Sequence, residues 1–159
     1  MKGFDDSLEN ALKSAFRLLG YRDRSEKEIC ERLAKKGFSQ KTIKGVVVYL
    51  TERGFVDDRR LAGALKRHAV EKKHLGKRGT TSYLIKRGIP LEIAAGISGD
   101  EDDYFDSAKM LVERRLQNMK GYDTATIKRR LWGLLSRRGF SNETIHRVIK
   151  TIDLKEEET

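Results

Sequence analysis

Apolar residues recur every three or four positions along most of this chain, a spacing that places them on one face of an α-helix. The first such face consists of Leu8, Leu12, Ala15, Phe16 and Leu19. Ser25 and Glu28 then have the spacing of a capping box at the start of a second helix, and Gly37 follows, where a glycine can close a helix in the left-handed conformation. A third apolar face begins at Ser39 and stops at Gly54. The pattern therefore predicts three consecutive helices in the first third of the chain.

This three-helix pattern occurs three times. The segment AKKGFSQKTI at residues 34–43 has a near copy, SRRGFSNETI, at residues 136–145, and a looser version, IKRGIPLEI, at residues 85–93. The glycines in these segments, Gly37, Gly88 and Gly139, are 51 residues apart each time. Such a repeat predicts an all-α fold, an elongated and curved array of three tandem three-helix repeats. We place the repeats at residues 1–57, 58–99 and 100–152, followed by an acidic tail at residues 153–159.

A pair of aspartates precedes the first apolar segment of each repeat. The pairs are Asp5-Asp6, Asp57-Asp58 and Asp102-Asp103. A carboxylate in this position can accept hydrogen bonds from the free amides of a first helical turn and stabilise the positive end of the helix dipole. Paired carboxylates also occur in catalytic and metal sites. Because these pairs recur where helices begin, we interpret them as helix caps.

Positive charge is concentrated in the middle of the chain. Among its 159 residues, 34 Lys and Arg outnumber 24 Asp and Glu, which gives a formal net charge of +10. Residues 58–99 hold ten basic and three acidic residues, residues 1–57 hold twelve and nine, and residues 100–159 hold twelve of each. Such an excess favours an anionic partner, and its distribution predicts a basic binding face in the middle segment.

Neither a disulfide nor a membrane segment is predicted. Cys30 is the only cysteine and has the position of a small apolar helix residue. The N-terminal segment MKGFDDSLEN lacks the apolar run of a signal peptide, and the chain nowhere approaches the ~18 apolar residues of a membrane span. We therefore expect a cytoplasmic protein.

No cofactor, metal or catalytic site is predicted. GKRGTT, at residues 76–81, has the residue types of a phosphate loop but lacks the upstream glycine and the preceding strand of that motif, so we interpret it as a loop with exposed cations. His68, His74 and His146 do not have the spacing of metal ligands, and we expect them at the surface or its boundary. No nucleophile lies in a motif with a recognisable base. These observations favour a binding protein over an enzyme.

Pairs of basic residues are the remaining functional signal. Several lie in predicted last helical turns, where the helix dipole alone favours cations. The cluster between Arg59 and Arg87 contains more cations than capping requires, although a solvated surface would have the same composition. Tyr83 lies beside this cluster and is a better candidate for base stacking than Trp132, which we expect in the core. The candidate binding residues are Arg59, Arg60, Lys66, Arg67, Lys72, Lys73, Lys77, Arg78, Lys86 and Arg87.

Three segments, in this order, resemble the signature of one protein family. They are YRDRSEKEICERLAKKGFSQKTI at residues 21–43, LTERGFVDDRRLAGAL at residues 50–65 and LGKRGTTSYLIKRGI at residues 75–89. They are similar to the RecX family of bacterial recombination regulators, whose signature combines R-x-R-S-E-x-E, L-x-x-K-G, G-x-x-D-D-x-x-x-A and a glycine-containing loop before L-x-x-K/R-G-I. The resemblance extends over roughly residues 11–152, and Leu61 and Arg78 depart from the family pattern.

This resemblance implies an all-helical array of three-helix repeats and a regulatory role without catalysis. Proteins of this family bind the RecA recombinase and its filament on single-stranded DNA, and they inhibit its ATPase activity, strand exchange, coprotease activity and filament growth. The implied context is DNA repair by homologous recombination and the SOS response. We therefore expect RecA and the RecA–DNA filament as partners, with DNA itself as a further candidate, no membrane contact, and a monomeric protein.

Two alternatives remain open at this point. Three-helix units also resemble helix-turn-helix domains, so a DNA-binding protein that acts independently of RecA is the first alternative. An enzyme whose site is assembled from distant residues is the second, because a sequence does not display such a site.

Overall fold

The computed structural model describes residues 4–157, with side chains as far as residue 152. Nine α-helices and one 3₁₀-helix account for most of these residues: α1 Leu8–Tyr21, α2 Glu26–Lys35, α3 Gln40–Glu52, α4 Asp58–Glu71, α5 Lys77–Lys86, α6 Leu91–Ser98, the 3₁₀-helix Glu101–Tyr104, α7 Phe105–Leu116, α8 Thr124–Arg137 and α9 Asn142–Glu157. No strand occurs within residues 4–157, and the predicted all-α class is confirmed. We name helices α1–α3 repeat 1, helices α4–α6 repeat 2, and the 3₁₀-helix together with helices α7–α9 repeat 3.

Each repeat has a hydrophobic core of its own. The cores are built around Ile29, Leu33, Val46 and Leu50 in repeat 1, Leu61, Leu84 and Ala94 in repeat 2, and Leu131, Leu135, Ile145 and Val148 in repeat 3. Among the described residues, every pair of helices in extensive contact belongs to a single repeat. The predicted array of three-helix repeats is therefore confirmed, and apolar burial stabilises each repeat from within.

The local signals for helix ends act as predicted. The Ser25 hydroxyl accepts a hydrogen bond from the Glu28 amide while the Glu28 carboxylate accepts one from the Ser25 amide, which is the predicted capping box. Gly37, Gly88 and Gly139 have φ angles of 97°, 82° and 80°, the left-handed conformation that closes α2, α5 and α8. At the C-terminal end, α9 continues to Glu157, so the segment assigned to an acidic tail begins inside a helix, and residues 158 and 159 lie outside the described residues.

The segment GKRGTT begins α5 and is not a loop. Gly76 is the N-cap of α5, and the helix starts at Lys77. The Gly76 amide donates to the Arg138 carbonyl oxygen at 2.9 Å, and the Arg78 amide donates to the Gly139 carbonyl oxygen at 3.2 Å. Because backbone carbonyl groups of repeat 3 occupy these amides, they are not free to bind a phosphate.

The aspartate pairs do not all cap the helices that follow them. Asp57 accepts hydrogen bonds from the Arg59 and Arg60 amides at the start of α4, as predicted. Asp58 accepts a hydrogen bond from the Glu26 amide at 3.0 Å and so caps α2 of repeat 1. Three others also bind elsewhere in the fold: Asp6 to the Ser39 amide, Asp102 to Arg147 and Asp103 to Lys66. The prediction that they cap the helix that follows them is wrong for Asp6, Asp102 and Asp103, because Ser7 caps α1 and the 3₁₀-helix leads directly into α7.

His74 is buried, contrary to the expectation of a surface or boundary position. It lies in the turn after α4 with a φ of 48°, the only positive φ of a residue other than glycine among the described residues. The turn brings the imidazole against α7, where Arg114 lies 3.0 Å from its Nε2. The sequence does not indicate this position, because the contact depends on how repeat 2 meets repeat 3.

The repeats meet end to end through their second helices. The N-terminal end of α2 contacts the C-terminal end of α5, and the N-terminal end of α5 contacts the C-terminal end of α8. A Cβ on Gly88 would overlap the Ser25 hydroxyl, and a Cβ on Gly139 would overlap the Gly79 amide nitrogen. Glycine is therefore required at Gly88 and Gly139 for close approach as well as for the positive φ. We call this arrangement the α2–α5–α8 column.

Candidate anion-binding surface

The structure divides the ten candidate cations among several places. Two groups of three lie together: Arg59, Lys66 and Arg67 on α4 toward α6, and Lys73, Arg78 and Lys86 around Tyr83. Lys72 is exposed at the end of α4, and Lys77 is half-buried in the first turn of α5. Arg60 and Arg87 form hydrogen bonds or ion pairs within the fold. The ten residues thus do not form one continuous face.

Arg87 belongs to the junction between repeats 1 and 2. Its Nε lies 3.0 Å from Glu28 Oε1, and 21% of its side chain is exposed. Arg22 holds the same carboxylate at 2.9 Å. Burial opposes the charged form of Glu28, but the hydrogen bonds from Arg22 and Arg87 outweigh burial and hold the pKa of this carboxyl below its usual value. The charge of Arg87 is therefore used to join two repeats.

Two more candidates have partners within the fold. Arg60 donates to a backbone carbonyl oxygen of the α3–α4 turn at 3.1 Å, and Lys66 Nζ lies 3.5 Å from the Asp103 carboxylate of repeat 3. Lys66 and Arg67 also line a depression of about 540 Å³, whose walls include Glu71 and Asp103. Because two carboxylates share this depression, its charge is mixed, and it is a poor site for an anion.

A basic cleft lies where α5 of repeat 2 meets the C-terminal end of α8. It has a volume of about 380 Å³ and is lined by Leu75, Arg78, Gly79, Ser82, Tyr83, Lys86, Ser136, Arg137 and Gly139. Its three cations come from two repeats, and the described residues that line it include no carboxylate. Lys73 Nζ adds a further charge 5.3 Å from the centre of the Tyr83 ring. We call this site the junction cleft; its uncompensated cations and hydroxyl groups suit a ligand with anionic oxygens.

The two aromatic residues discussed for the sequence lie in different environments. Tyr83 is half-buried in the wall of the junction cleft, with the His68 ring 6.4 Å away. Trp132 is partly buried against the core of repeat 3, as predicted, and its ring contacts the His146 ring edge-on at 4.7 Å. Tyr83 is therefore the aromatic side chain that adjoins the junction cleft.

Two arginines of repeat 3 hold the junction with repeat 2. Arg114 lies 3.0 Å from His74 Nε2, and Arg138 donates to the Lys73 carbonyl oxygen. His74 Nδ1 faces the Ser107 hydroxyl at 3.5 Å. Burial, together with the charges of Arg114 and Arg138, lowers the pKa of His74. The imidazole is therefore neutral at neutral pH, and its unprotonated nitrogen can accept from Arg114.

A second basic site lies in repeat 3 and was missed by the sequence analysis. A groove of about 360 Å³ between α7 and α8 is lined by Arg115, Met119, Arg129, Arg130, Gly133, Leu134 and Arg137. Residues 100–159 are neutral as a whole, but residues 114–138 hold eight Lys or Arg and a single acid, Asp123. A charge count over the shorter window would have indicated the site. We call it the arginine groove.

Other chemistry is sparse in the part of the chain that the structure describes. Within that part, no group of three or more His, Cys, Asp or Glu side chains could hold a metal ion. Burial raises the pKa of the Cys30 thiol, which is therefore protonated at neutral pH. No described helix is both long and apolar enough to cross a membrane.

Comparisons with known proteins identify the family. The model of the first three-helix domain of RecX matches residues 11–50, and that of the third three-helix domain matches residues 101–149. The regulatory protein RecX of Stenotrophomonas maltophilia strain R551-3 is 32% identical over 143 residues, which cover 89% of this chain and 86% of that protein. The chain belongs to the RecX family. The regulatory protein RecX of Chlorobium limicola is 29% identical over 154 residues, which cover 92% of this chain and 94% of that protein.

Solved structures share the fold. The crystal structure of RecX from Lactobacillus salivarius matches with a TM-score of 0.83 at 22% identity, covering 94% of this chain and 98% of that one. A second RecX crystal structure matches with a TM-score of 0.77 at 17% identity, covering 89% and 72%. The family models and the relative that is 32% identical confirm the resemblance recognised from the sequence motifs, and these structures confirm the fold.

Several residues of the motifs that resemble the RecX signature lie where repeats 1 and 2 meet. Asp58 caps the helix that begins after Ser25, Glu28 pairs with Arg87, and Gly88 lies against Ser25. Each of these contacts needs its residue type, because it is a cap, an ion pair or a close backbone approach. Several residues of the motifs that carry the resemblance thus join repeats 1 and 2.

Proposed function

We propose that this chain is a regulatory protein that binds the RecA recombinase and its filament on single-stranded DNA and inhibits ATP hydrolysis, strand exchange and filament growth. Membership of a family whose relatives are named regulatory protein RecX supports the regulatory role. In this proposal the protein acts in the cytoplasm, as a monomer, by binding and without a catalytic step.

The junction cleft is the observation that supports a specific contact site. Cations from two repeats converge there, and no carboxylate occurs among the described residues that line it. An acidic surface of RecA or the phosphates of its bound DNA would supply the missing negative charge. Contacts made by different repeats to neighbouring filament subunits would hold those subunits together, since release then requires several contacts to break at once.

Charge reversal in the junction cleft tests the proposal. The side chains of Lys73, Arg78 and Lys86 are exposed, so the triple variant K73E/R78E/K86E should fold normally by circular dichroism and thermal unfolding. It should require about tenfold more protein to inhibit the DNA-dependent ATPase of RecA, because each reversed charge repels the anionic partner. The control variant K35E/K41E/K44E reverses three exposed lysines of repeat 1 and should inhibit like the wild type.

Two results would count against this assignment. Undiminished inhibition by the folded cleft variant would show that the cleft is not the contact site. Tight, sequence-selective binding to duplex DNA without RecA, with a steep dependence on salt, would favour a helix-turn-helix-like DNA-binding protein in place of a RecA regulator.

A further inference from the structure

Both junctions between repeats are built in the same way. In each, the last turn of one helix of the α2–α5–α8 column lies against the start of the preceding helix of the column. Arg87, at the end of α5, donates to the Asp23 carbonyl oxygen at 3.4 Å, and Arg138, at the end of α8, donates to the Lys73 carbonyl oxygen. The glycine that follows each arginine approaches the preceding repeat so closely that no Cβ would fit. A helix that ends in a basic residue and a glycine therefore docks on the start of another helix twice in this molecule.

Each end of the column carries one half of this contact. Helix α2 ends with Lys36 and Gly37, a basic residue followed by a glycine with a φ of 97°. Gly37 is exposed, whereas the corresponding glycines of α5 and α8 are half-buried in the junctions. At the other end, Asp123 is the N-cap of α8, and Thr124 and Ala125 in the first turn are exposed. Among the described residues, no further repeat covers either end.

The two ends carry opposite charges. Lys35 and Lys36 are exposed at the end of α2, and Asp123 is exposed at the start of α8. Within the described part of the chain, none of these three residues forms an ion pair. The junction between repeats 1 and 2 combines the same charges, since Arg87 at the end of α5 pairs with Glu28 in the first turn of α2. The end of α2 in one copy of the chain is therefore complementary to the start of α8 in another.

Phe4 covers the end of α2. Its ring lies 3.7 Å from the position that a Cβ on Gly37 would take, whereas the atoms nearest to the corresponding glycines of α5 and α8 belong to the preceding repeat. The Phe4 ring also contacts the Phe38 ring edge-on at 4.9 Å. Close by in the same segment, the Asp6 carboxylate accepts a hydrogen bond from the Ser39 amide at 3.0 Å and so holds the segment across the turn. Phe4 thus occupies the place that a neighbouring repeat takes at both junctions.

We propose that the last turn of α2 is a docking surface for the first turn of α8 of a second copy of this chain, and that Phe4 covers this surface and prevents the docking. A head-to-tail contact of this kind does not close on itself, so uncapped copies would add to one another without limit. Arrays of repeats need terminal units whose outer face is protected, for the same reason. The inference goes beyond the proposed function, because it concerns contacts between copies of this chain and requires no RecA.

Static light scattering of the purified protein, in the absence of RecA, tests the cap. The variant F4S removes the ring, and because 56% of Phe4 is exposed, it should fold normally by circular dichroism. A contact between single helical turns is small and hence weak, so at about 0.5 mM protein the weight-average mass of F4S should be roughly twice that of the wild type, which should stay monomeric. D6A keeps the ring but removes the hydrogen bond to Ser39, and it should raise the mass by a smaller factor.

A second substitution identifies the surface on the other copy. In F4S/A125R, an arginine in the first turn of α8 would face Lys35 and Lys36 of the next copy, so this variant should stay monomeric. The matched control F4S/A95R makes the same substitution at an exposed position of α6, away from both ends of the column. It should associate to the same extent as F4S.

Mixing two monomeric proteins tests the direction of the contact. F4S/A125R has an open end of α2 and a blocked start of α8, whereas the wild type has a covered end of α2 and a free start of α8. Each should therefore remain monomeric alone, and the mixture should form a one-to-one complex that grows no further.

Three outcomes would overturn the proposal. A folded F4S that stays monomeric would show that Phe4 covers no docking surface. Equal association of F4S and F4S/A125R would mean that the exposed apolar residues aggregate without involving α8. Growth of F4S that stops at a dimer would indicate a symmetric contact between two α2 ends. None of these measurements depends on RecA, so the proposal can fail while the proposed function stands, and the reverse.

Discussion

Glu28 of repeat 1 and Arg87 of repeat 2 are 59 residues apart in the sequence, and their side chains meet at 3.0 Å. Arg22 donates to the same carboxylate, so two guanidinium groups hold one acid whose side chain is 15% exposed. The contact joins the start of α2 to the end of α5. Polar side chains rather than a shared apolar core therefore join repeats 1 and 2 at this point.

Replacing Glu28 with Gln should lower the free energy of unfolding by about 1–2 kcal/mol near neutral pH, because Gln keeps the shape but loses the charge-assisted hydrogen bonds. The pKa of Glu28 in the folded protein lies below its unfolded value, so the wild-type advantage is fully present above the unfolded pKa and is lost as pH falls through the folded pKa. Urea unfolding across that acidic range measures the difference. E31Q, on the exposed face of α2, is the control and should change stability by less than about 0.5 kcal/mol.

Gly139→Ala should destabilise the protein more than Gly37→Ala. Both glycines have a positive φ, which costs alanine about 1 kcal/mol. A Cβ on Gly139 would also overlap the Gly79 backbone, whereas the nearest neighbour of a Cβ on Gly37 is the Phe4 ring at 3.7 Å. In chemical unfolding, we expect Gly139→Ala to lower the free energy of unfolding by more than about 2 kcal/mol and Gly37→Ala to lower it by about 1 kcal/mol. Equal losses would show that Gly139 is needed for its φ alone.

Asp58→Asn and Asp58→Ala should differ in their free energy of unfolding near neutral pH. Burial and the nearby charges of Asp57 and Glu28 raise the pKa of Asp58, although the hydrogen bond from the Glu26 amide opposes this. Asn keeps an acceptor for that amide without the charge, so D58N should match or exceed the wild type near neutral pH. Ala removes the acceptor and should cost about 1 kcal/mol. Ionisation of an acid whose pKa is raised in the folded protein lowers the free energy of unfolding. Any advantage of D58N should therefore be present above the folded pKa and disappear below the unfolded pKa. A series of unfolding measurements across pH with the reverse trend would contradict a raised pKa for Asp58.

His74→Asn should weaken the pH dependence of stability between about pH 7.5 and pH 5.5, the range around the usual pKa of histidine. Burial and the charges of Arg114 and Arg138 lower the pKa of His74 in the folded protein. The unfolded chain therefore binds a proton at a higher pH than the folded protein does. As a result, the free energy of unfolding of the wild type falls as pH falls through the unfolded pKa. Asn tolerates the positive φ at this position and does not titrate. Thermal unfolding at the two pH values measures the effect, with the exposed His68→Asn as control. An unchanged pH dependence in H74N would mean that another group controls it.

The periodicity of the sequence predicted the three-helix repeats because each core is assembled from residues close in the chain. The same holds for the capping box at Ser25 and for the glycines that end helices, since these signals act within a few residues. The partners of Asp58 and Glu28 lie 32 and 59 residues away and depend on how the repeats meet. Nothing local in the sequence identifies them.

The candidate site could be predicted in part for a similar reason. The local charge of residues 58–99 pointed to Arg78 and Lys86, which line the junction cleft. The contribution of Arg137 could not be read from the sequence, because it follows from the contact between α5 and the end of α8. A charge count over residues 100–159 does not reveal the arginine groove, because acids elsewhere in that segment cancel its charge in the sum.

The bare backbone at Gly88 and Gly139 has a mechanical consequence. Because each repeat has its own core, the close approach at each glycine is one of the contacts that fix the angle between neighbouring repeats. The Glu28–Arg87 ion pair at the first junction and the His74–Arg114 contact at the second are others. Helix α8 has 14 residues and is about 21 Å long. A shift the size of a methyl group at its C-terminal end, next to Gly139, rotates the helix, and the N-terminal end then moves through a larger distance. The fit of the array to a long partner thus depends on Gly88 and Gly139 through the placement of the repeats, in addition to any contact that the glycines make.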